Sequence, residues 1–234
     1  MNKPESNPTE QLEVPFDRVA TFIRQVTHDV RNNLNAMDLQ AAYVVELVTD
    51  AEAVEEVRRI RSHIQQAAKQ LQALSANFWV SSPNLVTYSA AIFVEDLQDR
   101  LAKMHPDHAP KVKWTVNLDE KMVSLDLEMI FTGIAEVFEN AFQFKEGEAP
   151  IEAEAREEGG KFIIELQEPK TKIPSDPERW GREPFLSSRR GAYGLGLYRA
   201  RRIFAEHGGE LRFTHDSGRN LLSSKIVLPF AANE

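Results

Sequence analysis

Two unbroken apolar rhythms limit what the first third of this chain can become. From Phe16 to Val48 the residues Val19, Ile23, Val26, Val30, Met37, Val44 and Leu47 fall at steps of three and four, with Asn33 and Gln40 filling the gaps. After Thr49-Asp50 the rhythm resumes through Val54, Val57, Ile60, Ile64, Ala67, Leu71, Leu74 and Phe78. Such spacing gathers each set on one stripe of a helix, so two helices joined by a short turn are predicted. Glycine is absent from residues 1–80, and all 11 glycines lie beyond residue 130. A two-helix hairpin cannot enclose its own apolar stripes, and a second copy of itself is the simplest partner. Residues 16–80 are therefore expected to form an antiparallel hairpin that becomes a four-helix bundle in a homodimer, behind a flexible polar segment over 1–15. Cover by the rest of the same chain is the alternative.

Composition removes several kinds of chemistry. With no cysteine among 234 residues, disulfides, thiolate zinc sites and cysteine nucleophiles are excluded. A net charge of −8 argues against nucleic acid or an anionic membrane as the main partner. The polar, proline-bearing start has neither the pattern of a signal peptide nor that of a membrane anchor. Read as a whole protein, the chain is expected to be soluble and cytoplasmic, with any sensor supplied by another protein.

Residues 84–234 read as a second, α/β domain. Short strands are predicted over 85–88, 112–118 and 122–125, with Ser89 capping a helix to Met104 and Asp126 capping one to Phe144. A hairpin over 151–156 and 162–166 turns at Gly159-Gly160. An irregular stretch from Pro169 to Gly194 precedes a helix over 195–206, which ends at Gly208-Gly209, and strands over 210–215 and 222–228 complete the domain. Residues 170–202 carry nine basic side chains against three acidic ones, a setting suited to a polyphosphate.

Three strings carry the chemistry. His28 lies in Thr27-His28-Asp29-Val30-Arg31-Asn32-Asn33-Leu34, turned away from the apolar stripe, with Asn32 one turn on. Glu136 and Asn140 are four apart on one helix face, and oxygen donors placed so suit Mg²⁺. Gly191-Ala192-Tyr193-Gly194-Leu195-Gly196-Leu197 opens a helix, where bare N–H groups can meet phosphate oxygens. Taken singly, each has an ordinary reading as a solvated helix face or a glycine-rich turn.

Together they resemble the histidine kinase family. The first string resembles its phosphorylated-histidine box, with Asn33 in place of the usual proline. The second resembles its asparagine box, the third its second glycine box, and Glu206-His207-Gly208-Gly209 the closing motif. Arg182-Glu183-Pro184-Phe185 resembles the aromatic box of the nucleotide lid. The first glycine box, D-x-G-x-G, is degraded. Glu168 stands at its aspartate, which in the family accepts the adenine amino group, and Lys170 and Lys172 stand at its glycines, where they are candidates to meet phosphates instead.

The resemblance implies a dimerisation and phosphotransfer hairpin followed by an α/β sandwich of the kinase ATP-binding type. It implies that His28 is phosphorylated from ATP, that Asp29 orients it or acts as its base, and that Asn32 positions water. It assigns ATP to Glu136, Asn140, Glu168, Gly191, Gly194 and Gly196, with Asn140 as the Mg²⁺ ligand. The partner implied is a response-regulator receiver domain whose aspartate takes the phosphoryl group. The degraded box keeps two alternatives open: an ATP-independent histidine phosphotransferase derived from a kinase, and a non-catalytic scaffold.

Overall fold

The computed structural model describes residues 16–78, 82–185 and 194–231. The expected flexible segment over 1–15, Gly191 and the lid residues 186–190 lie outside them. The chain divides into two compact units, Met1–Trp79 and Val80–Glu234.

The first unit is a helical hairpin of α1 (Phe16–Leu47) and α2 (Ala51–Phe78). Asp50 starts α2 by accepting the Ala53 N–H at 2.8 Å, satisfying one of the free donors of a helix start. The contact between the helices differs from the predicted one on α1. Ala20 and Thr27 are buried and Leu34, Asp38, Ala41 and Val45 half-buried, and a bidentate bond from Arg61 to Asp38 (2.9 and 3.2 Å) marks this as the face toward α2. That face lies mostly one residue on from the predicted stripe, about 100° round the helix. Ala20, Thr27 and Ala41 on this face are small. The larger Val26, Val30, Met37, Val44 and Leu47 stay between 37% and 62% exposed. On α2 the predicted stripe does turn inward at Val54, Val57, Ile64, Ala67 and Leu71, whereas Ile60 is exposed.

The second unit contains β1 (Val86–Ser89), α3 (Ala90–Met104), β2 (Lys113–Asn117), β3 (Met122–Leu125), α4 (Leu127–Phe144), β4 (Glu152–Glu158), β5 (Lys161–Pro169), α5 (Gly196–Glu206), β6 (Glu210–Asp216) and β7 (Leu221–Pro229). The five-stranded sheet runs β2-β4-β5-β7-β6, with β2 parallel to β4 and the other pairs antiparallel; β1 and β3 form a separate antiparallel pair. Alternation along β5 sends Phe162, Ile164 and Leu166 into a core shared with Phe93 and Leu97 of α3, Ile134 and Phe138 of α4, and Phe204 of α5. The predicted caps hold: Ser89 accepts from Ile92 N–H, and Asp126 from Met129 N–H at 3.0 Å. A 3-10 turn over Pro177–Arg179 interrupts the stretch expected to be irregular.

Candidate functional site

On α1 the His28 side chain is 54% exposed and its Nδ1 lies 3.2 Å from Asp29 Oδ1. A carboxylate only accepts, so this contact requires a proton on Nδ1 and leaves the Nε2 lone pair open to solvent. Asn32 Nδ2 lies 3.4 Å from the same nitrogen, where it could donate only to a bare Nδ1. The charge-assisted bond to Asp29 is the shorter and stronger, and it selects the tautomer. Asp29 is itself held by Gln25 Nε2 at 3.1 Å, and bonds from His28 and then Gln25 keep its carboxyl below the usual range. Thr27 turns to the buried hairpin face, which leaves His28 on the outer one.

In the second unit α4 and α5 pack together and bring two of the strings into contact. Gly196, the first residue of α5, lies so close to the Glu136 carboxylate that a Cβ would overlap Oε2. Arg199, one turn into α5, has its NH1 3.8 Å from Glu136 Oε1. Burial pushes the Glu136 carboxyl up, with Arg199 opposing and Glu139 adding to the rise. Asn140 lies one turn along α4, half-buried. Gly194 has φ +64°, the left-handed region that glycine enters without strain, and its carbonyl accepts the Phe185 N–H at 3.2 Å.

The degraded box lies at the end of β5. Glu168 is 2% exposed, and no described residue bonds its Oε2. Burial raises this carboxyl to about 7; Lys170 and Lys145 pull it down and Glu146 pushes it further up. Lys170, a candidate to meet phosphates, is not displayed for that role. It is buried, and its ammonium donates to the Phe144 carbonyl at the end of α4. Several other basic side chains of this stretch are engaged by the protein itself, half-buried in the case of Arg201 and exposed in the cases of Arg179 and Arg182. Arg201 donates to the carbonyls of Trp180 and Leu211, both at 2.6 Å, and Arg182 to that of Glu178 at 2.6 Å. Arg179 pairs with Glu183 at 3.3 Å.

One role escaped sequence reasoning. Buried His207 has its Nδ1 2.7 Å from the Ile203 carbonyl, which fixes the proton there, and Nε2 accepts the Asp126 N–H at 3.1 Å. The closing His-Gly-Gly string thus ties the end of α5 to the start of α4. Its signal in the sequence is a histidine just before a helix-ending glycine pair.

A helical hairpin followed by an α/β sandwich is a fold also found in solved histidine kinases. The chain is 22% identical over 225 residues to the sensor histidine kinase ZraS of Salmonella typhi, covering 89% of this chain and 45% of that protein. The ZraS of Salmonella typhimurium gives the same figures. The chain thus spans about half the length of the curated relatives it matches. Among solved structures, full-length ShkA in complex with AMPPNP superposes with a TM-score of 0.67 at 16% identity, over 92% of this chain and 46% of that one. The catalytic domain of the histidine kinase ThkA gives 0.51 at 17% identity, over 62% of this chain and 95% of that one. No protein-family model matches the chain. Among the described residues no helix is long and apolar enough to cross a membrane.

Proposed function

We propose that the protein acts in two-component signalling as a histidine phosphotransfer protein, in which His28 takes up a phosphoryl group and passes it to an aspartate of a response-regulator receiver domain. The observation that carries this reading is the exposed imidazole with Asp29 on Nδ1. Nε2 attacks phosphorus, a P–N bond forms, and the bond from phosphorus to the donor's oxygen breaks. The ring becomes cationic, and the Asp29 carboxylate stabilises that charge through the Nδ1 proton. Transfer onward reverses these steps, with the receiver's carboxylate oxygen replacing Nε2. Two hairpins joined through the exposed α1 stripe would make the four-helix bundle that presents the histidine.

ATP is one source of the phosphoryl group. The second unit offers Glu136 and Asn140 as oxygen donors, the Gly194–Gly196 turn for phosphates and Glu168 as a spare buried acceptor for a base amino group. Bound there, ATP would supply the phosphoryl group and Mg²⁺ would offset its charge. Among the described residues no group of three His, Cys, Asp or Glu forms a metal cage, so Mg²⁺ would rest on Asn140, Glu136 and the phosphates themselves. The second reading, a shuttle fed by another phosphorylated receiver domain, is favoured by the burial of Lys170 where the family has glycine.

Labelled ATP with Mg²⁺, and separately a receiver domain loaded with acetyl phosphate, distinguish the two. Acid-labile, base-stable label from the first indicates the kinase, and label from the second alone indicates the shuttle. Equal labelling of His28→Gln and wild-type protein would remove both.

A further inference from the structure

The strand that should offer an open backbone to a nucleotide instead ends in a buried lysine. Along β5 the inward residues Phe162, Ile164, Leu166 and Glu168 alternate, and Lys170 continues the series on the same side. Lysine is almost never fully buried unless its charge is matched, yet Lys170 is only 8% exposed. Its ammonium donates to the Phe144 carbonyl, one of the four acceptors that a helix end leaves free, and lies 5.7 Å from the Phe144 ring centre. The Glu146 carboxylate is 3.9 Å away, and the Thr171 N–H and hydroxyl hold that carboxylate at 2.9 and 2.6 Å. The Lys170 main chain is fixed as well, through its N–H to Asn220 O at 2.7 Å and its carbonyl to His215 Nε2 at 2.8 Å.

The neighbouring Glu168 shows what this lysine does not do. A lysine placed to neutralise Glu168 would bond to it, but the ammonium goes to α4, and Glu168 Oε2 is left without a partner among the described residues. A buried acceptor lacking a donor therefore lies beside a buried donor committed elsewhere. A glycine at this position would carry no side chain to compete with a ligand approaching the backbone.

We propose that Lys170 is an intramolecular competitor at the base end of the nucleotide site, so that a purine nucleotide binds only by displacing the Lys170 side chain from Phe144. This rests on reading the second unit as nucleotide-binding and adds the group that sets its affinity. Lys172, exposed two residues further on, has no part in the competition.

The test is calorimetric titration with AMPPNP and Mg²⁺, together with the thermal shift the nucleotide causes, on the full chain. Lys170→Gly removes the competitor, and Lys170→Met removes only its charge while keeping most of the stem, which guards against a glycine variant that fails to fold. Affinity should rise by about tenfold or more in Lys170→Gly, as expected when a bond to a charged group no longer has to be broken, and by less in Lys170→Met. Lys172→Gly should bind as the wild type does. Affinity unchanged or weakened in both Lys170 variants, or a full gain from Lys172→Gly alone, would overturn the proposal. Adding Asn140→Asp to Lys170→Gly separates the two ideas. If the gain survives that change, the competitor stands and the placement of Mg²⁺ on Asn140 fails.

Discussion

Glu168 and Lys170 are two buried titratable groups with opposite outcomes: the ammonium finds a carbonyl, and one carboxyl oxygen finds no partner among the described residues. Burial holds the Glu168 carboxyl near 7 in the folded chain against an ordinary value of 4.5, with Lys170, Glu146 and Lys145 as the charged groups acting on it. The raised value means that the folded state favours the protonated form. Its contribution to stability is fully present below pH 4.5 and is lost as the pH rises through 7. Relative to Glu168→Gln, the wild type should therefore lose about 3 kcal/mol of stability between pH 4.5 and pH 8. Denaturant melts of both proteins across that range check this, and parallel stability curves would contradict it. The sequence placed Glu168 at a strand end but could not say that it is buried with an oxygen that no described residue bonds. Nor could it separate Arg201, which braces Trp180 and Leu211, from an arginine facing a phosphate, because both read simply as a basic residue near a glycine turn.

At the scale of elements, the junctions of α5 turn on two glycines whose neighbours differ. A Cβ on Gly196 would meet the end of the flexible Glu136 side chain, which can swing aside, whereas on Gly209 it would strike the fixed carbonyl of Val227 in β7. Gly196→Ala should therefore cost less than about 1 kcal/mol, and Gly209→Ala about 2–4 kcal/mol. Thermal melts of the pair would show it, and comparable losses would refute the assignment of Gly196 to a yielding contact. The elements themselves were largely legible, since capping residues and hydrophobic period are local signals. Ser89 and Asp126 cap as expected, and Gly159-Gly160 turns the β4–β5 hairpin with both φ positive. The face of α1 was not legible. Small residues such as Ala20, Thr27 and Ala41 carry little hydrophobic signal, yet they lie on the face toward α2. The bulkier valines define the visible rhythm and remain outside.

At the scale of the molecule, the proposed assembly rests on the exposed apolar stripe of the hairpin. Val26 and Val44 lie on that stripe, away from the α2-facing side, so charging them should leave the hairpin folded but break a dimer formed through it. Light scattering should find the wild type dimeric and Val26→Glu/Val44→Glu monomeric, with helical circular dichroism retained. A monomeric wild type would reject the bundle. The measurement closest to the central claim is phosphorus NMR on the full chain carrying nitrogen-labelled histidine, after loading from a phosphorylated receiver domain. With Asp29 placed to accept a proton from Nδ1, one phosphoramidate is predicted, bonded to Nε2 of His28 and missing from His28→Gln. A phosphoryl group on Nδ1, on a different histidine, or on none would contradict the account.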